Sequence, residues 1–385
     1  MTARIDVTGQ DLLASLRQFL RAILELQDIR AILVPRHLPM NNAVMPALVT
    51  DPDCLEGVDP LAPAFPMNAA KIVSRLTGKP MGAQVAAILR PCEIRAFIEL
   101  VKLKQGRTEE VVLIGIDCLG AYQNKDYLRF AGEDGAHATV RFYQSVLTGR
   151  GTRIDGVDLA PACRACEYPV ASNADITIGL FGIEFDDHLI VQSQSVRGEA
   201  VLKQLNLEQT VEPTARRETI AALVAQRTAQ RDEMLAQTRA GTENLAKMTT
   251  YFARCVNCYN CRVACPVCYC KECVFVTDVF NHDPYQYLRW ATRKGVIKMP
   301  TDTLFYHMTR LAHMSTACVG CGQCSNACPN DIPVMEVFRS VAQATQKAFD
   351  YEAGRHIDED PPLAVFREDE FAEVVGMSLQ TGRQA

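Results

Sequence analysis

Sixteen of the 385 residues are cysteine, and eleven of these lie between Cys255 and Cys328. The N-terminus carries an early Asp and no apolar core, so no secretory signal is expected there. Thiols kept reduced in such numbers are expected to hold metal rather than pair as disulfides. Two stretches repeat one spacing. Cys255-Val-Asn-Cys258-Tyr-Asn-Cys261-Arg-Val-Ala-Cys265-Pro266 and Cys318-Val-Gly-Cys321-Gly-Gln-Cys324-Ser-Asn-Ala-Cys328-Pro329 both read C-x2-C-x2-C-x3-C-P. That run binds [4Fe–4S] clusters in pairs. A tight loop lets three thiolates reach three irons of one cubane, and the fourth cysteine, too far along, faces the other. The expected ligand sets are therefore crossed: Cys255, Cys258, Cys261 and Cys328 for one cluster, and Cys318, Cys321, Cys324 and Cys265 for the second. Structural zinc also uses C-x2-C pairs, but two complete copies with the following proline favour iron.

Four more cysteines lie in the N-terminal half: Cys92, Cys118 and the pair Cys163-Arg-Ala-Cys166. They are read as ligands of a third [4Fe–4S] cluster, with zinc and unrelated buried thiols left open because dispersed cysteines carry no fixed spacing. Cys268, Cys270 and Cys273 follow Pro266 at C-x-C-x2-C spacing. With Cys54 they would complete a fourth cluster, although Cys54 sits in a proline-rich stretch and a packed thiol group is an equal alternative. Metal ligation is thus assigned to two clusters by motif, to a third by convergence, and to a fourth by arithmetic alone.

Convergence of the N-terminal cysteines depends on the elements that carry them. Residues 84–89 and 111–116 read as strands and 93–105 as a helix, a βαβ unit with a parallel sheet. Arg90-Pro91-Cys92 and Asp117-Cys118 then fall at the carboxyl ends of the strands, where ligands bind in such folds. Further strands are expected at 29–34, 175–182 and 188–193. An amphipathic helix is expected at 8–28, started by Thr8 or Asp11. Pro35 is read as ending the first strand, and the proline-rich segment 35–68 as one long loop. Residues 213–247 read as a helix across a domain junction, and 302–314 as a helix leading into Cys318.

The fold class is α/β. An N-terminal α/β domain is expected over residues 1–205, a linker helix over 206–248, a mostly α-helical dicluster domain over 249–343, and an acidic tail over 344–385 that wraps the surface or moves. The composition is that of a globular chain, with 48% hydrophobic and 22% charged residues. No apolar run approaches the roughly 18–20 residues of a membrane helix. The net charge of −5 argues against nucleic acid, whose phosphates need clustered cations.

The stretch Phe305-Tyr-His-Met-Thr-Arg-Leu-Ala-His-Met314 leading into Cys318 resembles the α-helical ferredoxins of succinate dehydrogenase iron–sulfur subunits and of the small subunit of heterodisulfide reductase. His307 and His313 could reach a cluster, but helix packing is the favoured role for both. The set Arg90-Pro-Cys-Glu-Ile-Arg-Ala96, Ile114-Gly-Ile-Asp-Cys118 and Cys163-x-x-Cys166…Ala174-Asp-Ile-Thr-Ile-Gly179 resembles the β subunits of coenzyme F420-reducing hydrogenase and F420-dependent formate dehydrogenase, as does Cys265-Pro-Val-Cys-Tyr-Cys-Lys-Glu-Cys273. The resemblance covers roughly residues 65–330. It implies a flavin-bearing α/β domain with its own [4Fe–4S] cluster, matched here by Cys92, Cys118, Cys163 and Cys166, which exchanges electrons between a soluble hydride carrier and partner subunits.

A flavin (FAD) would need a cradle. A proline-shaped loop ends at Asn68, before a helix whose free N–H groups could receive a pyrophosphate. Asn68, Lys71, Arg90 and Arg95 are the candidate flavin contacts, with ordinary surface or packing roles open for each. No GxGxxG follows a strand, so a Rossmann-type nicotinamide site is not indicated. The expected function is that of an electron-transfer subunit of an oxidoreductase complex, an F420- or NAD(P)H-linked dehydrogenase type, in which flavin splits a hydride into single electrons for the clusters. The alternative is a pure adaptor with neither flavin nor substrate. Expected partners are a heterodisulfide-reductase-like flavoprotein, a hydrogenase or a formate dehydrogenase, in the cytoplasm or against the cytoplasmic side of a membrane complex.

Overall fold

The computed structural model describes residues 1–39, 43–132, 134–270, 272–277, 283–294 and 303–364. Seven strands form one sheet: β1 (Thr2–Asp6), β2 (Ile29–His37), β3 (Val44–Val49), β4 (Gln84–Leu89), β5 (Val111–Ile116), β6 (Ile176–Gly179) and β7 (His188–Ser193), in the order β1-β7-β6-β5-β4-β2-β3. The central strands β2, β4, β5 and β6 run parallel, and antiparallel partners close both edges. The central strands are apolar on both faces, as a sheet buried on both sides requires. Ala86, Ile88, Val112 and Ile114 face one core, and Ala87, Leu89, Val111 and Leu113 the other.

The first core is covered by α1 (Leu12–Leu24), whose Asp11 cap accepts the Ala14 N–H at 2.9 Å. The second is covered by α2 (Ala70–Leu76) and α3 (Pro91–Lys102). On the first side α4 (Asn124–Ala131) and α5 (Gly135–Leu147) follow β5, then the single turn α6 (Pro161–Arg164), and α7 (Val196–Gln204) follows β7. The βαβ unit lies where its periodicity places it. The helix expected over 8–28 is shorter, with a separate 3-10 turn at Thr8–Gln10.

The segment read as a long loop from Pro35 is a correction. β2 runs through Pro35 to His37, and β3 pairs with it, Pro35 opposite Pro46. Neither proline has an N–H to give, so the two can face each other only where the ladder asks for none, and β3 is the sheet edge, where proline is tolerated. A 3-10 turn over Pro52–Gly57 follows, which shortens the irregular stretch to its last third.

α8 (Thr214–Thr242) then spans 29 residues across the carboxyl ends of the sheet. The cysteine-rich half is helical throughout its described residues: α9 (Leu245–Tyr251), α10 (Asn260–Ala264), α11 (Pro284–Lys294), α12 (Thr303–Met314), α13 (Gln323–Asn326) and α14 (Val334–Ala348), with one 3-10 turn at Val274–Val276. α14 passes the boundary expected at 343. Beyond this helix the chain turns inward: Tyr351 and Ala353 are buried. The Tyr351 hydroxyl donates to Glu99 Oε1 at 2.6 Å, Lys102 Nζ donates to the Tyr351 oxygen at 2.9 Å, and the Gly354 N–H donates to Glu99 at 2.7 Å. The start of the tail is thus fastened to α3, and residues 365–385 lie outside the described residues.

Candidate metal centres

β4 and β5 are neighbours in the sheet and parallel, so Cys92 and Cys118 emerge side by side. Each is set by a buried carboxylate. Glu93 Oε2 accepts the Arg90 N–H at 2.9 Å and its Oε1 accepts the Ala69 N–H at 2.8 Å, which locks the first turn of α3 to the start of α2. Asp117 accepts the N–H groups of Leu180 (2.8 Å) and Phe181 (3.1 Å) and pairs through both oxygens with Arg216 of α8, one contact at 3.1 Å. The Cys118 N–H donates to Pro169 at 2.7 Å, which draws the Cys163–Cys166 loop to the same place. A cavity there is lined by Cys92, Cys118, Cys163 and Cys166, with Arg90 and Arg227 beside them. Burial pushes the Cys163 thiol up to about 12, with Cys118 and Cys166 adding to it, and holds Cys92 well above its ordinary value. Such thiols become thiolates when a metal centre takes the charge.

A second cavity is lined by Cys255, Cys258, Cys261 and Cys328, the crossed set, together with Tyr259, Tyr306 and His307. Cys258 is exposed, so this outer site reaches the surface. The inner set lies deeper. Cys324 is raised by burial first and then by Cys265, Cys321 and Cys318, so the four thiols share one interior region. Asn68 stands against Cys321 and pulls its thiol down, while burial pushes it up. The buried Asn68 Nδ2 has no partner that meets hydrogen-bond geometry, as a donor awaiting a cluster sulfur would. Among the described residues no three of His, Cys, Asp or Glu close on a point as a single ion requires. The cysteines stand around cavities instead, the arrangement that a multi-iron cluster fits.

The two motifs share a backbone device that spacing alone does not reveal. Asn257 and Tyr259 in the first copy, and Gly320 and Gly322 in the second, occupy matching positions, and all four have positive φ (52°, 59°, 68° and 81°). Left-handed residues between the cysteines curl the loop around its site. The outer copy carries side chains there. The inner copy has no room: a Cβ on Gly322 would stand 2.4 Å from Ala162 Cβ, and one on Gly320 2.9 Å from Arg339. Gly322→Ala is therefore expected to lower stability by about 1–3 kcal/mol through strain and overpacking, read as a shift of the urea midpoint. An unchanged midpoint would mean that the Ala162 loop yields freely.

Gly320 and Cys321 also line the sheet-end cavity, so the sheet-end and inner sites adjoin. Gln323 and Asn326 donate to Phe65 O at 2.8 and 3.0 Å, which pins this junction. The remaining cysteines do not gather. Cys54 packs against the first core, whereas Cys268 and Cys273 pack against the second and Cys270 is exposed.

The four candidate flavin contacts are engaged within the chain. Asn68 Oδ1 accepts the Ala70 N–H at 3.0 Å, and with Glu93 on Ala69 the helix start that was to cradle a pyrophosphate is already filled. Lys71 donates to Val263 O at 3.0 Å. Arg90 donates to Ala62 O and Ala64 O at 2.9 and 2.6 Å, and Arg95 donates to Ala353 O at 3.0 Å while stacked 3.5 Å over Tyr168. These residues do not fit a flavin here; they brace the cysteine sites. His307, expected only to pack, stacks on Phe252 and also reaches Cys255, while His313 is exposed.

Residues 82–218 match the family model for the C terminus of the coenzyme F420 hydrogenase/dehydrogenase beta subunit, and residues 251–332 match a 4Fe-4S dicluster domain. The F420-dependent formate dehydrogenase subunit beta of Methanocaldococcus jannaschii is 26% identical over 330 residues, 77% of this chain and 80% of the relative. The F420-dependent formate dehydrogenase 1 subunit beta of Methanococcus maripaludis is 24% identical over 318 residues, 74% and 76% of the two chains. A chain of the F420-reducing [NiFe] hydrogenase complex from Methanosarcina barkeri aligns at 14% identity and a TM-score of 0.45, over 64% of this chain and 94% of that one. With a beta-subunit α/β domain and a dicluster domain in one polypeptide, the chain belongs to the coenzyme F420 hydrogenase/dehydrogenase beta-subunit family.

Proposed function

We propose that the chain is the iron–sulfur electron-transfer subunit of an oxidoreductase complex of the F420-dependent formate dehydrogenase or hydrogenase type, and that it carries three [4Fe–4S] clusters in series. The observation that carries this reading is the sheet-end cavity, lined at once by Cys92, Cys118, Cys163, Cys166 and by Cys321 of the inner site. Neighbouring clusters that share a wall form a path for single electrons from the sheet end through the inner site to the outer one. The sheet-end ligands would be Cys92, Cys118, Cys163 and Cys166. The inner set would be Cys265, Cys318, Cys321 and Cys324, and the outer set Cys255, Cys258, Cys261 and Cys328. Partner redox subunits would meet the path at its two ends, in the cytoplasm. Among the described residues no helix is long and apolar enough to cross a membrane.

A hydride carrier would require flavin ahead of the first cluster. If flavin binds, side chains other than Asn68, Lys71, Arg90 and Arg95 hold it. The test is iron, acid-labile sulfide and flavin per polypeptide after purification without oxygen. About twelve irons are expected. About eight irons would remove the sheet-end cluster, and flavin content separates a hydride-accepting subunit from an adaptor.

A further inference from the structure

Helix α12 runs beside the outer site and presents three polar side chains to two of its sulfurs. Arg310 Nη1 donates to Cys261 Sγ at 3.1 Å and its Nη2 donates to Cys261 O at 3.1 Å. The Tyr306 oxygen lies 3.4 Å from the same sulfur, and His307 Nε2 lies 3.4 Å from Cys255 Sγ. All three residues are buried. With both sulfurs as metal-bound thiolates, which only accept, Tyr306 O–H and His307 Nε2–H are the donors. His307 Nδ1 is buried without a partner, so nothing competes for the other tautomer. The inner site has no comparable row. Asn68 stands against Cys321 there, and Arg310 acts on Cys265, Cys318 and Cys324 by charge alone.

Hydrogen bonds and positive charge at the sulfurs favour the reduced, more negative cluster and raise its potential. In a buried site these interactions are weakly screened. We propose that Tyr306, His307 and Arg310 are positioning residues that make the outer cluster the more oxidising of the adjacent pair, so that electrons collect at the exposed end beside Cys258. The step is one electron leaving the reduced inner cluster, which is oxidised, and entering the oxidised outer cluster, which is reduced. No proton or other reactant is involved. The proposal rests on the two-cluster reading of the motifs.

The test is a redox titration of the full, anaerobically purified chain, followed by electron paramagnetic resonance, for wild type, Tyr306→Phe, Arg310→Met and Arg310→Lys. Iron and sulfide are measured for each. Tyr306→Phe removes one donor and keeps the ring, so the fold is expected to persist. The higher of the two midpoints should move to more negative potential and the lower should stay. Arg310→Met should lower both midpoints, the higher one more, and Arg310→Lys should restore part of that change. Unmoved midpoints in Tyr306→Phe and Arg310→Met, or movement of the lower midpoint in Tyr306→Phe, would overturn the proposal. Wild-type iron and sulfide below two clusters would instead overturn the cluster reading beneath it.

Discussion

A chain in which Cys163 and Cys166 are both serine is expected to retain about eight irons where the unaltered chain holds about twelve. It should also lose electron flow from a donor acting at the sheet end to the outer cluster. Two ligands are removed together because a single serine leaves an oxygen that can still bind iron. The loss should be local. The Cys163–Cys166 loop packs against the sheet end and lines the cavity without contributing to either C-x2-C-x2-C motif. In the absence of metal its thiols stay protonated, since burial raises Cys163 to about 12 and lifts Cys118 and Cys92 as well. A neutral apo site is tolerable, so the double variant should fold while lacking the cluster. The paramagnetic signals of the inner and outer clusters should survive. Retention of about twelve irons would mean that these cysteines hold no iron and that the path begins at the inner site.

The parts of this architecture readable in the sequence are those whose causes are local. The βαβ unit shows itself through continuous apolar runs at 84–89 and 111–116 and a helical period between them, and Cys92 and Cys118 inherit their places from it. The dicluster motifs carry their own geometry in their spacing. The features that escape such a reading depend on long-range partners. The β2–β3 hairpin is masked by Pro35 and Pro46, whose meeting across the ladder is visible only once the strands are paired. The inward turn of the tail depends on Glu99 and Lys102, some 250 residues away from Tyr351. His307 falls on the expected helix, but a helical period says which face a residue shares and not what stands opposite it. One signal is present in the sequence all the same. Aligning the two motifs sets Asn257 beside Gly320 and Tyr259 beside Gly322, and glycines at matching positions of a repeat mark backbone that needs positive φ. Asn68, Arg90 and Arg95 suit an anion only if their donors are free. Those donors are instead bonded within the chain or turned to Cys321, because the junction between the domains must satisfy its own buried polar groups.

Arg216→Met is expected to lower stability by about 3–5 kcal/mol, because it leaves the Asp117 carboxylate buried without its counter-ion. Arg216 and Asp117 are both almost fully buried, and the guanidinium bridges α8 to the turn that follows β5. Its seat is shaped for it: a Cβ on Gly179 would lie 2.9 Å from Arg216 Cζ, and one on Gly182 would lie 2.4 Å from Arg216 Cα. Methionine fills part of that space but offers nothing to the carboxylate. Asp117→Asn in the same chain removes the orphaned charge and keeps an acceptor for Leu180 and Phe181, so the double variant should recover much of the loss. Because Asp117 immediately precedes Cys118, the single variant should also release iron from the sheet-end site before the other two. Urea unfolding of the anaerobic chain, with iron content followed across the transition, reads both effects. A midpoint unchanged by Arg216→Met would show that the carboxylate is neutral or reaches water in the folded chain. The pair would then hold α8 in place without holding the cluster site.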